Sequence, residues 1–532
     1  MKPTAIPESA AASLAGPETA TSEIDVSCRA PLVVFFLSAA GWLLIASGLA
    51  LICSIQFHSP DFLAGLAWLS YGRAHPAASS AFLYGFCLQS GLGVSLWLLA
   101  RLGRTRLDYS WLATVGAMSW NLGVAVGVWG ILTGDRTGFE ALDLPGYATP
   151  MVFLGWVLAG IQGALTFHRR RRQTLYVSQW FLLAALFWFA WIYATAQLLL
   201  VSFPGRGVAP SVIAWWYAQN LQVVWLWLAG LGAVFYFVPK LSGRPLQNRG
   251  LALCAFWFIV VFGGWGGIPH SAPVPAWLPA LSTVGSVFSA VALLAVGLSL
   301  WKTARQGSRP AAAPEGRALP EAAPATPASA GSLPALSGRG QISEAWPGAA
   351  APGAPEGLPL RFVLFGALAF LIGGGGRVLG SLPPISSVTD LTWFGPAMYQ
   401  LNAYGFFAMV IFGAVYWIMP RLLGLDFPWA GLGRAHFWLA SAGIVLLAAP
   451  LAIAGVLEGL KLRGPENAFM GVVKAALPAL RVSTLGELFM ALGHAAFLAN
   501  LASLAARFCR LRAVSTFRSW TLDPYKPAEA KP

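Results

Sequence analysis

Charge is the scarcest property of this sequence. Only 10% of its 532 residues are Asp, Glu, Lys or Arg, and 57% are hydrophobic, whereas soluble domains carry about 25% charged residues. A water-soluble globular fold is therefore excluded. Basic residues outnumber acidic ones by 34 to 20, but they lie in short loops between apolar runs. They form no folded basic surface, so no nucleic-acid partner is expected.

Metal-binding patterns are also missing. The five cysteines, Cys28, Cys53, Cys87, Cys254 and Cys509, form no CxxC or CxxCH motif, which argues against covalently attached c-type haem and against a zinc site. The centres of the apolar runs contain no Lys, Arg, Asp or Glu. Their polar residues are amides, which join helices by hydrogen bonds but do not carry protons by titrating.

The apolar runs are long enough to cross a membrane. Spanning the hydrocarbon core takes about 20 apolar residues, and backbone groups inside the bilayer must be paired, so these runs form helices. The sequence predicts an all-α, polytopic membrane protein built as a twelve-transmembrane-helix bundle. The predicted spans are residues 32–56, 80–101, 110–133, 147–167, 176–203, 212–238, 250–268, 276–301, 358–380, 397–420, 436–457 and 484–506.

Basic residues follow every second predicted span. Examples are Arg101 after the second span, Arg169 after the fourth and Lys240 after the sixth. Lys and Arg accumulate on the cytoplasmic side of a membrane. This pattern predicts that both termini are cytoplasmic and that the chain is a multi-pass protein of the cell membrane.

Composition divides the chain into five segments. We expect a disordered cytoplasmic N-terminus (1–30), membrane helices 1–8 (31–303), a disordered Ala/Pro-rich linker (304–357), membrane helices 9–12 (358–507) and a basic cytoplasmic tail (508–532). Segments poor in apolar residues do not bury enough surface to order themselves. The two groups of helices can still pack as one bundle.

Four motifs lie in order along the predicted helices, from the start of the second helix to the end of the tenth. Residues 72–81 read GRAHPAASSA, 216–220 read WYAQN, 236–245 read YFVPKLSGRP and 416–422 read YWIMPRL. In this order they resemble subunit I of the haem–copper oxidase superfamily, and in particular the cbb3-type cytochrome c oxidases of bacterial respiratory chains. The resemblance implies the fold of haem–copper oxidase subunit I and a setting in respiratory electron transport.

In that family, histidines hold haem and copper, because imidazole is a neutral nitrogen donor that suits both metals. The resemblance places the ligands of helices two, six and ten on residues that are not histidine. The corresponding positions are Ala78, Gln219, Met398 and Gln400, or Gly395 and Ala397 in place of the last two if the alignment of helix ten is shifted by three residues.

Helix seven keeps more of the pattern. The two copper histidines fall on Pro269 and His270, and the active-site tyrosine falls on Gly263. One imidazole does not hold copper against water. The sequence therefore predicts a degenerate site with no catalytic residue, no metal site and no bound cofactor. Haem b and copper are expected only if the resemblance extends to chemistry.

Three residues remain as candidates for cofactor binding: His75, His270 and Met398. His75 also suits the membrane interface, His270 suits a surface or capping role, and Met398 suits helix packing. A further hypothesis is that Phe187, Trp188 and Trp191 fill volume that haem occupies in the oxidases.

Three functions follow as hypotheses. The first is a structural or accessory subunit of a respiratory complex, in contact with membrane lipids and with other subunits, among them a cytochrome c-type subunit. The second is an active cytochrome c oxidase subunit with displaced ligands. The third is a transporter or a quinol-binding membrane module, because fold does not dictate function.

Overall fold

The computed structural model describes residues 17–305, 357–464 and 468–522, and the regular structure in these ranges is helical. The principal helices, in chain order, are α1 Pro17–Gln56, α2 Tyr71–Gly103, α3 Ser110–Thr133, α4 Thr149–His168, α5 Val177–Ser202, α6 Ala209–Ser242, α7 Arg249–Trp265, α8 Trp277–Arg305, α9 Leu358–Gly380, α10 Phe394–Leu423, α11 Ala430–Leu462 and α12 Phe469–Leu522.

The predicted order of helices is confirmed. Within the described ranges, eleven helices are long and apolar enough to cross a membrane, and α7 is a shorter apolar helix at the place of the seventh predicted span. The prediction that residues 1–30 are disordered is wrong for residues 17–30, because α1 begins at Pro17. Residues 1–16, most of the predicted linker (306–356) and residues 523–532 of the predicted tail lie outside the described residues.

Two of the sequence motifs end helices. In YFVPKLSGRP, Gly243 has a φ of 68° and terminates α6. After YWIMPRL, Gly424 has a φ of 66° and terminates α10. Glycine adopts this left-handed conformation without the steric penalty of a side chain, so both helices stop at the glycine.

The basic loops group on one face of the bundle, which we call the basic face. Arg101 pairs with Asp25 at 3.3 Å near the start of α1, and the backbone N–H of Arg171 donates to Gly103 O at 2.9 Å. These contacts join the N-terminal part of α1, the end of α2 and the end of α4. The observed clustering matches the alternation of basic loops in the sequence.

The helices before and after the linker form a single bundle. On α1 and α12, Ser54 lies 2.8 Å from Thr484, and Ser47 lies 2.6 Å from the ring of His494. On α6 and α10, the indole N–H of Trp227 donates to Asn402 Oδ1 at 2.6 Å. Buried polar side chains that form hydrogen bonds across helices fix the register between the helices before the linker and those after it.

Candidate functional site

Three of the predicted ligand positions stand beside π-helical turns. These turns are Ala81–Leu88 in α2, Asn220–Trp225 in α6 and Leu401–Ala408 in α10. They follow Ala78, Gln219 and Gln400, respectively. Single π turns occur frequently at functional sites, because they redirect the side chains around them. The helix geometry around these positions is therefore irregular, although the residues at the positions carry no imidazole.

A cavity of about 210 Å³ lies among α6, α8, α9, the segment after α7 and the start of α10. Its walls include five of the residues that the sequence had singled out. They are Gln219, Pro269, His270, Gly395 and Met398. The structure thus brings the predicted copper positions of helices six and seven to one place, together with one position of helix ten from each of the two alignments.

The other predicted residues do not line this cavity. Ala78 is buried in α2, and one turn further along, Phe82 stacks on Tyr404 of α10 with ring centroids 4.0 Å apart. Gln400 has a buried Oε1 without a hydrogen-bond partner. His75 is exposed and stacks on Tyr71 with centroids 5.2 Å apart. These three residues form no common site with His270.

Gln219 is fully engaged by protein groups. Its Nε2 donates to Gly263 O at 2.8 Å, and its Oε1 accepts from Arg377 Nη2 at 2.7 Å. Gly263 is the position to which the resemblance assigns the active-site tyrosine. With a hydrogen bond on each end of its amide, and only 8% of its surface exposed, Gln219 forms a bridge between α7 and α9 at the position to which the resemblance assigns a copper ligand.

His270 is the histidine that lines the cavity, and its Nε2 is in a hydrogen bond. His270 Nε2 lies 2.8 Å from Thr283 Oγ1, and that hydroxyl also lies within 3.2 Å of the carbonyls of Pro279 and Ser381. This ring nitrogen is therefore already held in a hydrogen bond within the protein.

Met398 packs closely against α9. A side chain at Gly376 would place its Cβ 2.2 Å from Met398 Sδ, so any larger residue there would force the methionine to move. Met398 is 7% exposed. Its thioether therefore serves the contact between α9 and α10 and lies at one wall of the cavity.

Sequence reasoning missed the two charged residues of the cavity, Arg377 and Asp390. Neither residue was among the candidates that the sequence provided. Within the described part of the chain, none of the ion pairs includes Arg377. One feature of the sequence could have pointed to Arg377: it directly follows four glycines, Gly373–Gly376, in an apolar run.

Asp390 lies at the mouth of the cavity, between α9 and α10. Its Oδ2 accepts the backbone N–H of His270 at 2.9 Å. Burial raises the pKa of this carboxyl, while the hydrogen bonds from the backbone of His270 and Ser271 oppose the shift. Asp390 thus holds the segment after α7 in place.

The residues present do not fit copper or haem. The positions to which the resemblance assigns the family's ligands carry a methyl group, two amides, a thioether, a proline ring and one imidazole, and the imidazole and one amide are bonded within the protein. Within the described residues, no three His, Cys, Asp or Glu side chains are grouped so that they could hold a metal ion. The guanidinium of Arg377 lies 2.7 Å from the side-chain oxygen of Gln219, to which the resemblance assigns a copper ligand, and its charge repels a metal cation.

The hypothesis that three aromatic residues of α5 fill the volume of haem is wrong for two of them. Phe187 is 66% exposed and Trp191 is 43% exposed, so both face outward. Trp188 faces inward and donates to Asn220 Oδ1 at 3.0 Å. The helical periodicity of α5 turns its aromatic residues to different sides.

Comparison with known proteins places the chain in one family. The family model described as "Cytochrome C and Quinol oxidase polypeptide I" matches residues 30–489. Among curated relatives, cytochrome c oxidase subunit 1 of Rhodobacter capsulatus is 25% identical over 487 residues, which covers 88% of this chain and 83% of the relative. The cbb3-type cytochrome c oxidase subunit CcoN1 of Stutzerimonas stutzeri is 24% identical over 505 residues, with coverages of 93% and 95%.

Solved structures show the same fold. A heme-copper terminal oxidase dimer determined by cryo-EM aligns with a TM-score of 0.64 and 15% sequence identity, and the alignment covers 90% of this chain and 84% of the other. The chain therefore has the architecture of a haem–copper oxidase subunit I.

Proposed function

We propose that this chain, which belongs to the cytochrome c and quinol oxidase polypeptide I family, is a non-catalytic structural or accessory subunit of a bacterial respiratory electron-transport complex. It would keep the helical architecture of the oxidase subunit without its own haem and copper. The resemblance predicts a place in respiratory electron transport. The chemistry of the cavity that Gln219 and Arg377 line argues against cytochrome c oxidase activity.

The hydrogen bond between Arg377 and Gln219 is the observation that carries the proposal. It puts a cationic group at 2.7 Å from the side-chain oxygen that stands where the family has a copper ligand. A metal cation there would meet both an occupied amide and a like charge. A metal site that has lost one ligand can still be completed by another residue. A protein cation at the site repels the metal ion whichever residues supply the ligands.

The surroundings of the chain follow from the same reasoning. Two of the relatives are named as subunits of cytochrome c oxidases, and we infer that this chain also contacts other subunits of a respiratory complex, a cytochrome c-type subunit among them, as well as membrane lipids. The basic face supports a cytoplasmic position for both termini in the inner membrane, because basic loops stay on the cytoplasmic side.

Haem and metal analysis of the purified chain tests the proposal. We expect substoichiometric haem b in a pyridine haemochrome spectrum and substoichiometric copper in elemental analysis. The Stutzerimonas stutzeri relative, produced in the same host, serves as the positive control for cofactor supply. Stoichiometric haem b and copper in this chain would contradict the proposal and favour the alternative of an active oxidase with displaced ligands.

The cavity itself favours a second candidate, a small-molecule binding module. Arg377, Asp390 and several hydroxyl groups line its walls, and a pocket with a few convergent polar groups is the usual form of a ligand site. This candidate includes the quinol-binding and transporter hypotheses. Mass spectrometry of lipids and quinones extracted from the wild type and from Arg377→Gln tests it; a species retained by the wild type and lost from the variant supports it, and identical extracts contradict it.

A further inference from the structure

One cavity of the bundle is lined by two side chains of opposite charge. Arg377 of α9 and Asp390, in the segment between α9 and α10, both line the cavity that contains Gln219, which we call the Arg377 cavity. Within the described part of the chain, none of the ion pairs includes either residue. Each charge is therefore available to a ligand that enters the cavity.

Arg377 keeps most of its capacity to form hydrogen bonds. A guanidinium has five N–H donors, and among the residues that the structure describes its acceptor is Gln219 Oε1, at 2.7 Å from Nη2. An amide oxygen accepts a hydrogen bond but does not neutralise the positive charge. A charge inside a membrane protein is costly without a partner and usually marks a functional site. A carboxylate fits this group, because it accepts two parallel N–H bonds and supplies the negative charge.

Asp390 presents a negative charge to the same cavity. Its Oδ2 accepts the backbone N–H of His270 at 2.9 Å, and a carboxylate has lone pairs for further donors. Asp390 is half-buried and lies at the end of the bundle opposite the basic face. An ammonium group suits this carboxylate, because it carries three N–H donors and a positive charge.

The size and the walls of the cavity limit the ligand. Its volume is about 210 Å³, the space of about seven water molecules at about 30 Å³ each. Ser282, Ser286 and Ser289 line it from α8, and their spacing of four and three residues puts them on one face of that helix. Val223 and Trp227 add apolar walls, which suit a short alkyl chain. The cavity therefore fits a small molecule with polar ends and a short apolar middle.

We propose that the Arg377 cavity binds a small zwitterion, a short-chain amino acid, whose carboxylate pairs with Arg377 and whose ammonium group pairs with Asp390. A simple anion would be repelled by Asp390 and a simple cation by Arg377, so neither matches both walls. Both ends of a zwitterion gain a charge-assisted hydrogen bond, which offsets the cost of removing its charges from water. The inference rests on the binding-module candidate above and names its ligand class. It does not depend on whether the chain carries haem or copper.

Equilibrium dialysis of radiolabelled probes against the full-length, detergent-purified chain tests the inference. The probes are glycine, β-alanine, γ-aminobutyrate and 5-aminovalerate. Each is compared with the carboxylate of the same carbon chain, from acetate to valerate, which lacks the ammonium group. We expect saturable binding of at least one amino acid, with a Kd at least about tenfold below that of its matched carboxylate, the effect of one added hydrogen bond between charged groups.

Two variants separate the two charges. Arg377→Gln should raise the Kd of the bound amino acid by about tenfold to a hundredfold, because it removes the charged partner of the carboxylate. Asp390→Asn should remove the preference for the amino acid, so that its Kd becomes similar to that of the matched carboxylate. Misfolding does not produce this second result, since a misfolded protein would bind neither probe. Asparagine at this position can still accept the backbone N–H of His270.

Arg361→Gln and Asp426→Asn are the matched controls. Arg361 lies near the start of α9 and Asp426 in the loop after α10, both are exposed, and both variants should keep the wild-type Kd. The inference is overturned if none of the four amino acids binds the wild type more tightly than it binds Arg377→Gln. It is also overturned if the matched carboxylate binds the wild type as tightly as the amino acid, or if a control loses binding to the same extent.

The outcome is separable from the tests of the proposed function. Stoichiometric haem b and copper would contradict the proposed accessory role and would leave amino-acid binding at Arg377 unchanged. A quinone retained only by the wild type, together with no binding of the four amino acids, would support the binding module and overturn the zwitterion as its ligand.

Discussion

Copper binding should return only when the imidazoles are restored and Arg377 is neutralised in the same protein. Gln219→His and Pro269→His, together with the native His270, would supply three imidazoles at the cavity. Arg377 Nη2 lies 2.7 Å from the side-chain oxygen of Gln219. A metal would sit about 2 Å beyond a nitrogen donor at that place, and hence about 5 Å from the guanidinium charge.

The repulsion follows from that distance. Two unit charges about 5 Å apart repel by about 3 kcal/mol at an effective dielectric constant of about 20. That energy weakens the binding of Cu(I) by about two orders of magnitude in Kd, since each 1.4 kcal/mol or so is a factor of ten. Neutralising the arginine should recover this factor.

The assay is a competition titration with a coloured Cu(I) chelator on detergent-purified protein. The variant with both histidine substitutions is compared with the variant that also carries Arg377→Gln. Arg361→Gln, at the exposed other end of α9, is the matched control and should leave Kd unchanged. Equal Kd values with and without Arg377→Gln would refute the reasoning, because they would show that the guanidinium does not act on the metal.

Two further predictions concern stability. Burial raises the pKa of Asp143 from 3.8 to about 7, against the lowering effect of Arg136. The folded state then keeps a proton that the unfolded chain has lost, so the free energy of unfolding should fall as pH rises from about 4 to about 7. Tm measured across this pH range should fall in the wild type and should not fall in Asp143→Asn. Equal pH profiles of the two proteins would contradict the raised pKa of Asp143. Asn402 bonds both Trp227 Nε1 and Gln222 O, so Asn402→Leu should lower the free energy of unfolding by about 2–4 kcal/mol because it leaves both groups unpaired. Denaturant titration should find that Trp227→Phe lowers the free energy of unfolding less in the Asn402→Leu variant than in the wild type. Equal losses in both backgrounds would contradict the hydrogen bond between Asn402 and Trp227.

The sequence predicted the helices well, because a membrane helix is a local property. A run of apolar residues about 20 long must form a helix whatever surrounds it in a membrane. In the part of the chain that the structure describes, eleven long spans and one shorter apolar helix appear at the predicted places. The prediction was wrong at the start of α1, which begins at Pro17. Residues 17–30 have too few apolar residues to span a membrane, but contacts such as Asp25 with Arg101 hold them against the basic face.

The candidate site was predicted only in part. The resemblance assigned Gln219, Pro269, His270 and Met398, or Gly395 in the shifted alignment, to ligand positions of the family, and the structure brings all five to one cavity. Arg377 escaped notice because its meaning depends on its partner: near a helix end it reads as an interfacial charge, and only the fold aims it at Gln219.

Composition and the order of apolar runs determined, without any coordinates, that the chain is a helical membrane protein, and the resemblance predicted that histidine is missing from the places where its family has metal ligands. The residue type at a position is read directly from the chain. Only tertiary structure decided which groups meet: the guanidinium with the amide, the imidazole with the hydroxyl, and the polar groups of α12 with those of α1. These contacts join residues far apart in the chain, and helix packing, not local pattern, sets their distances.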